Sequence, residues 1–208
     1  MYEVISSGSK GNAVLYFGSI LVDCGVSFAA IKPYLKQIQI LLLTHEHGDH
    51  FNYSTIQRLA FERPSLRIGG GEWMIDKVKS FCKNVDEYQP GQMYDYGLFK
   101  VSPVIAFHDV PNFGYRLIQG EKKIFHITDT FTLKGITARN YDLYAIEANY
   151  DEELVEVLIE EKISRGEYAY QVGAKNSHLS FQEAYDFFYA NKGEHSQMVR
   201  LHETSSML

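Results

Sequence analysis

The sequence has few cysteines and none of the spacings that cysteine chemistry requires. Cys24 and Cys82 are the only two, and neither belongs to a Cys-x-x-Cys pair. A disulfide-rich framework is therefore excluded, because such folds need several cysteine pairs. We expect two reduced, structural thiols in a cytoplasmic protein, while a single disulfide between them stays open at this point.

Long hydrophobic runs and the common phosphate-binding loop are also absent. No apolar run approaches the roughly 18 residues of a membrane span, and MYEVISSGSK lacks the basic-then-apolar order of a signal peptide. We therefore expect no membrane partner. The loop SGSKGN does not fit the GxxxxGK[ST] pattern. We expect a tight turn there, with Lys10 or Asn12 contacting a substrate phosphate as the minority alternative.

Positive charge is scarce as well. The chain has 20 lysines and arginines against 26 acidic residues, which gives a formal net charge of −6. That balance argues against a broad basic face for a long nucleic acid, although it leaves room for a local basic groove. At 208 residues the chain fits one domain, 1–208, that can bury a core without staples.

The chain does contain a series of short apolar runs and amphipathic segments separated by turns. Runs typical of strands lie at 13–18, 19–25, 38–44, 98–107, 114–128, 141–149 and 196–201. Helical spacing lies at 53–63, 72–84, 151–166 and from Ser180, at a capping-box position, to Gly193. Interspersed helices without a dinucleotide-binding fingerprint predict an α/β fold with two mixed β-sheets and outer helices. Pro103 within 98–107 predicts an edge or a bulge.

Four of the apolar runs end on a histidine or an aspartate, namely His45, His108, Asp129 and His202. Rigid scaffolds place functional side chains at strand ends. If these strands share one rim of the sheets, the four side chains converge. Imidazole and carboxylate together suit zinc, iron or manganese.

The densest group of such residues is THEHGDH at 44–50. His45 and His47 lie two apart in an extended segment, so they point the same way. Gly48 is expected to permit a sharp turn, after which Asp49 and His50 can face a second ion. Seven candidates suit two metals about 4 Å apart with one bridging carboxylate. They are His45, His47, Asp49, His50, His108, Asp129 and His202.

THEHGDH has the HxHxDH form, and through it the chain resembles the metallo-β-lactamase superfamily. The likeness extends to LVDCG before the motif, HD at 108, TDT at 128–130 and His202. The resemblance implies an αββα sandwich of two mixed β-sheets with outer helices and a dinuclear site at one rim. It also implies that His45, His47 and His108 hold one metal. Asp49, His50 and His202 would then hold the other, with Asp129 between the two.

Within the superfamily, SSGSKGNA, EANYD and SHLS resemble the phosphodiesterase and nuclease branch. That branch holds the WalJ/YycJ-type proteins, tRNase Z and the phage enzymes that degrade cyclic nucleotide signals. SHLS is similar to a motif that precedes the last metal histidine, which implies that His178 is a proton donor near the scissile phosphate. RLHETSSML departs from the WalJ-type pattern, so the choice between His202 and His178 as the last ligand stays open.

Two aspartates receive supporting roles. We expect Asp23 in LVDCG to brace the site loop through hydrogen bonds rather than to bind metal. Asp109 either orients a ligand as a hydrogen-bond acceptor or is simply a turn residue.

The leading hypothesis is a dinuclear metal-dependent hydrolase, a phosphodiesterase that acts on a cyclic or short nucleotide. Two divalent ions, Zn²⁺ in the first place and Mn²⁺ or Fe otherwise, would lower the pKa of a bridging water towards about 7. Asp49 would orient this water, and protonated His178 would help the leaving oxygen depart. The acidic balance favours a compact nucleotide substrate. A homodimer is a further expectation.

Three alternative functions remain at this point. A DNA exonuclease of the WalJ/YycJ type would use the same motif on a longer substrate. A glyoxalase-type thioester or lactone hydrolase shares the metal ligands, but SHLS argues against it. A non-catalytic metal-bound module would keep the metals without turnover.

Overall fold

The structure is a computed structural model that describes residues 1–169 and 171–203, with only the backbone of Ala174. It contains two compact units. The first consists of Met1–Gln92 and Val110–Phe113, and the second of Met93–Asp109 and the described residues from Gly114 onwards. The assignment of 1–208 to a single domain stays a prediction.

The first sheet has six strands that lie side by side in chain order. Strands β1, β2 and β3 are antiparallel neighbours, and β3 to β6 run parallel to one another. The strands are Tyr2–Ser6, Ala13–Tyr16, Ile20–Val22, Ile40–Leu42, Arg67–Gly70 and Val85–Glu87. Every residue of β4, Ile40–Leu42, is buried, as expected of the apolar run before the histidines.

The second sheet also has six strands, in the order β12, β11, β10, β9, β8, β7. Strands β10, β11 and β12 are parallel, whereas the β9–β10 and β7–β8 pairs are antiparallel. The strands β7 to β12 are Tyr94–Asp95, Lys100–Ala106, Asn112–Gln119, Lys122–Ile127, Leu143–Glu147 and Gln197–Leu201. Both sheets are therefore mixed, as predicted. Strand β8 lies between β9 and β7 in the sheet order, and Pro103 lies beyond the two residues of β8 that pair with β7.

Six α-helices accompany the sheets in the described residues. They are α1 to α6, at Phe28–Ile31, Tyr53–Glu62, Glu72–Val78, Glu152–Ser164, Gln171–Ser177 and Phe181–Asn191. A 3-10 turn, Lys32–Tyr34, follows α1. The sequence-based prediction missed α5, a seven-residue helix that contains Gly173 and shows no clear apolar period. It also made α3 too long.

Side-chain caps explain where three of the helices begin. Asn52 accepts from the backbone N–H of Thr55 at the start of α2, and Asp151 likewise accepts from a backbone N–H in the first turn of α4. Ser180 accepts from the N–H of Glu183 at α6, as its capping-box position predicts. Each cap satisfies a backbone donor that the first helical turn leaves without a partner.

Each unit has its own apolar core. In the first unit, Leu41 and Ile68 of the sheet pack in one cluster with Ile56 of α2 and Met74 of α3. In the second unit, Phe125 and Tyr144 of the sheet pack with Phe187 of α6. Burial of these faces holds the strand ends in place, and the strand ends carry the candidate ligands.

The two cysteines are buried free thiols, so the prediction of structural cysteines holds and no disulfide joins them. Burial, together with the nearby charge of Asp23, raises the pKa of Cys24 to about 12. The single tryptophan, Trp73, lies in the first unit, where its ring meets Phe113 edge-on at a centroid distance of 4.8 Å.

No helix in the described part of the chain combines the length and the apolar character that a membrane span requires.

The hydroxyl of Tyr144 offers a test of the second core. It donates to Ala138 O at 2.5 Å and accepts from the N–H of Tyr141 at 3.2 Å. Tyr144→Phe leaves these buried groups without their partner, so we expect the free energy of unfolding to fall by about 1–3 kcal/mol. Chemical denaturation measures it. Tyr168→Phe, at a side chain that is 86% exposed, is the control and should change little; equal losses in both variants would contradict the assignment.

Candidate metal centre

The first cluster of candidate ligands lies on the turn that follows β4. The side chains of His45 and His50 are fully buried. The ring of His45 lies 4.8 Å from that of His47 and 4.2 Å from that of His50, centroid to centroid. Three imidazoles thus gather at one strand end, as the spacing of THEHGDH predicts.

Asp23, at the end of β3, orients this cluster. Its carboxylate accepts from the N–H of Thr44 at 2.9 Å and from the Thr44 hydroxyl at 2.8 Å. His50 Nδ1 lies 2.7 Å from Asp23 Oδ2, and His45 Nδ1 lies 2.9 Å from Thr44 Oγ1. These contacts at Nδ1 fix the orientation of both rings and direct Nε2 of each ring away from Asp23 and Thr44. The expected bracing role of Asp23 is confirmed.

Asn12 also braces this cluster, from the SGSKGN loop. Its Nδ2 lies 2.9 Å from His50 Nε2 and 3.3 Å from Asp49 Oδ2, while its Oδ1 accepts from the N–H of Gly8. The side chain is only 5% exposed. Asn12 therefore connects the SGSKGN loop to the candidate ligands Asp49 and His50.

The backbone packs tightly behind Asp49. Gly25 lies so close that a Cβ placed on it would sit 1.7 Å from Asp49 O. Asp49 O also accepts from the N–H of Asn12 at 2.6 Å, and the N–H of Cys24 donates to His50 O at 2.9 Å. Only a residue without a side chain fits at position 25.

Gly48 does not play the expected part. Its φ lies outside the left-handed region, and a Cβ on it would meet nothing within 4 Å. The turn is instead held by the N–H groups of His50 and Phe51, which both donate to His47 O. The expected turn is present at this point, but it does not use the conformational freedom of glycine at position 48.

The second cluster lies at the strand ends of the second unit. Asp129 follows β10, Glu147 ends β11 and His202 follows β12. One candidate ligand atom from each of Asp129, Glu147, His178 and His202 lies within 4.8 Å of the others. His202 Nε2 is 3.6 Å from Asp129 Oδ1. Carboxylate oxygens and imidazole nitrogens at this spacing fit a divalent transition metal.

Glu147 is the functional residue that sequence reasoning missed. Its side chain is fully buried, and Oε2 accepts from the N–H of Thr130 at 3.0 Å. Oε1 lies 2.5 Å from His178 Nδ1 and 3.4 Å from His202 Nδ1. A signal was present, because LYAIE is another apolar run that ends on a carboxylate.

The environment of His178 favours its protonated form. Burial lowers the pKa of His178, but the hydrogen bond and the charge of Glu147, with the charge of Asp129, outweigh burial and raise the pKa above its ordinary value. The ring stacks on that of His202 at a centroid distance of 5.2 Å. His178 thus lies beside candidate ligands, in surroundings that raise its pKa.

His108 has its orientation set by a carbonyl group. Its Nδ1 lies 3.2 Å from Ser177 O, so an N–H donated there leaves Nε2 for a metal. Asp109 Oδ1 lies 3.1 Å from that Nε2. Asp109 therefore contacts the candidate ligand atom itself, whereas the acceptor that orients the ring is Ser177.

Three residues of these clusters have left-handed backbones. Asp23, Asp129 and His202 have φ values of 59°, 52° and 53°. Non-glycine residues adopt this conformation at a cost of order 1–3 kcal/mol, and such residues concentrate at functional sites. At His202 the side chain of Asn149 offsets the strain, since its Nδ2 donates to His202 O at 2.9 Å.

The structure thus brings His45, His47, Asp49 and His50 together in the first unit. In the second unit it brings together Asp129, His178 and His202, and the rings of His108 and His178 lie 5.7 Å apart. The assignment of each residue to a particular metal stays a prediction.

Comparison with known proteins places this chain in a family. Residues 19–202 match the model of the β-lactamase superfamily domain, and the chain belongs to that family. No protein with a curated description matches it in sequence. Family membership and the two donor clusters support a metal-dependent hydrolase that binds divalent ions.

Solved structures show the same fold. The metallo-β-lactamase fold protein YhfI from Bacillus subtilis has a TM-score of 0.74 at 18% identity, over 97% of this chain and 85% of YhfI. The short form of human tRNase Z has a TM-score of 0.71 at 18% identity, over 99% and 93%. A diphosphatase of the PhnP family has a TM-score of 0.65 at 15% identity, over 97% and 86%. The predicted metallo-β-lactamase fold is confirmed.

The close packing at Gly25 tests the first cluster. Gly25→Ala must push Asp49 and His50 aside, so we expect the affinity for Zn²⁺ to fall about 10- to 100-fold, as when supporting groups of metal ligands are lost. Titration against a chelator measures this affinity. Gly48→Ala, which has open space around it, is the matched control. Unchanged Zn²⁺ affinity in folded Gly25→Ala would refute the proposed role of the turn.

Proposed function

We propose that the chain is a dinuclear metal-dependent phosphodiesterase that hydrolyses a cyclic or short nucleotide. The observation that carries the proposal is the 2.5 Å contact between His178 Nδ1 and buried Glu147. This contact lies beside Asp129 and His202, two of the candidate metal ligands. A carboxylate in this position raises the pKa of the imidazole and so favours the protonated form, which is the form that a general acid needs.

The chemistry of the leaving group favours a phosphodiester. An alkoxide leaves a phosphodiester as a strong base and benefits from a proton delivered in the transition state. A thiolate, whose conjugate thiol has a pKa of about 8.5, leaves a thioester without that help. The His178–Glu147 pair therefore supports a phosphodiesterase over a glyoxalase-type thioester hydrolase. Two of the similar structures are named as a tRNase and a diphosphatase.

We also propose the distribution of ligands between two ions. One ion would be held by His45, His47 and His108, and the other by Asp49, His50 and His202, with Asp129 shared. Contacts at Nδ1 of His45, His50 and His108 orient the three rings, and Nε2 of each ring would be the atom that meets the ion. When bound, the ions, for which Zn²⁺ is the first candidate and Mn²⁺ or Fe the alternatives, supply Lewis-acid activation of water and neutralise phosphate charge.

The side chains of the protein complete the reaction. Asp49, whose carboxylate is steered by Asn12, orients the attacking water. His178 donates its Nε2 proton to the leaving oxygen and becomes neutral, while its Nδ1–H keeps the hydrogen bond to Glu147 Oε1. Thr130 keeps Glu147 in place through Oε2. Glu147 is thus a positioning residue that acts through His178.

The proposal extends to the setting of the enzyme. The excess of acidic over basic residues favours a compact nucleotide over long DNA. We also propose a cytoplasmic location and a homodimer. The oligomeric state can be measured directly in solution.

The roles of His178 and His202 can be separated by mutation. His202→Ala should lower the metal content, whereas His178→Ala should keep both metals and lose turnover by roughly 100-fold or more. Metal analysis and hydrolysis of bis-p-nitrophenyl phosphate give the two readouts. His195→Ala, an exposed histidine, is the control. The reverse pattern would exchange the two roles, and native protein without bound transition metal would count against the dinuclear centre.

Salt dependence tests the size of the substrate. Each duplex phosphate neutralised by the protein contributes about −0.9 to the log–log slope of affinity against salt. A compact substrate offers few such contacts, so the KM for a cyclic mononucleotide should change only modestly between about 50 and 200 mM salt. Single-stranded DNA should be cut more slowly. Rapid end-directed DNA degradation, with affinity collapsing over that range, would favour the WalJ/YycJ-type exonuclease.

A further inference from the structure

Two neighbouring phenylalanines remain exposed beside proposed metal ligands. Phe107 directly precedes His108, and Phe131 is the second residue after Asp129. Their side chains are 39% and 44% exposed, and the ring centroids lie 6.0 Å apart with an interplanar angle of 52°. Single exposed phenylalanines are common on protein surfaces, but these two rings contact each other beside proposed ligands and together form an apolar surface.

The Phe107–Phe131 pair is held rigidly. The N–H of Phe131 donates to Phe107 O at 2.9 Å, and the N–H of Phe107 donates to Thr130 Oγ1 at 3.0 Å. Thr130 in turn donates its N–H to Glu147. The backbone that carries the two rings is therefore linked through Thr130 to Glu147, the buried carboxylate that orients the proposed proton donor. A rigid aromatic surface loses little conformational freedom when it binds.

The pair is also close along the chain to two of the proposed metal ligands, His108 and Asp129. Consecutive Cα atoms are about 3.8 Å apart, so the backbone of Phe107 begins one such step from His108. The backbone of Phe131 begins two steps from Asp129. A phosphate held at these ligands would carry its attached nucleoside over a span of this order.

We propose that the Phe107–Phe131 pair binds the nucleobase of the substrate. The inference rests on the proposed phosphodiesterase function and names its substrate class, phosphodiesters that carry a base. Phenylalanine offers a π face but no hydrogen-bonding group, which suits stacking against any base and discriminates weakly among them. Ile105, 50% exposed and two residues before Phe107 on β8, adds further apolar surface.

The test compares two ligands that differ only in the base, AMP and ribose 5-phosphate. Calorimetry with the metal-loaded full chain should show AMP binding about tenfold more tightly or better. Phe107→Ala and Phe131→Ala should weaken AMP binding about fivefold to a hundredfold, while the Kd of ribose 5-phosphate stays unchanged. Phe131→Trp, which keeps a π face, should retain AMP binding.

Phe61→Leu, at a side chain that is 83% exposed, is the control and should alter neither Kd. Thermal melts of every variant show whether the fold is kept, and Phe107→Leu and Phe131→Leu replace the alanine variants if those unfold. Equal binding of the two ligands, or equal weakening of both in the phenylalanine variants, would overturn the inference. Because the readout is binding, absence of phosphodiester hydrolysis would count against the proposed function alone.

Discussion

Two buried carboxylates, Asp23 and Glu147, determine how each unit holds its histidines. A buried carboxylate is stable only when donors satisfy its oxygens, and in both units those donors come from one threonine and at least one histidine. The requirement therefore works in both directions. The histidines stabilise the buried charges, and the charges orient the rings of His50 and His178. Other groups orient the remaining candidate ligands, such as Ser177 at His108 and Asn12 at Asp49.

The backbone around the clusters is strained at the positions that place the candidate ligands. Left-handed Asp23 and Asp129 turn their chains sharply where a strand ends, and the bare backbone of Gly25 lets the HxHxDH turn approach to contact distance. Such features are unfavourable on local grounds and persist only because the cores behind them are well packed. Apolar packing and polar geometry are thus coupled, since the packed strands determine where the ligands stand.

The sequence predicts much of this arrangement because strand ends can be read from apolar runs, and residues such as His45 and Asp129 stand directly after them. Family resemblance added the role of His178. Glu147 was not predicted, although its strand is also an apolar run that ends on a carboxylate. Its partner His178 is distant in the chain and meets it only after folding. The role of Asn12 likewise depends on a tertiary approach, and α5 has no period to detect. Contacts between distant segments are what local patterns cannot show.

The placement of Trp73 has a practical consequence. It is the sole indole of the chain, it belongs to the first unit, and it packs edge-on against Phe113. Selective excitation of tryptophan emission therefore reports on the first unit alone, whereas far-ultraviolet dichroism averages over both sheets. If the two optical transitions coincide during denaturation, the units unfold as one cooperative body; if they separate, each unit melts independently. The native chain thus carries its own reporter of cooperativity without any introduced label.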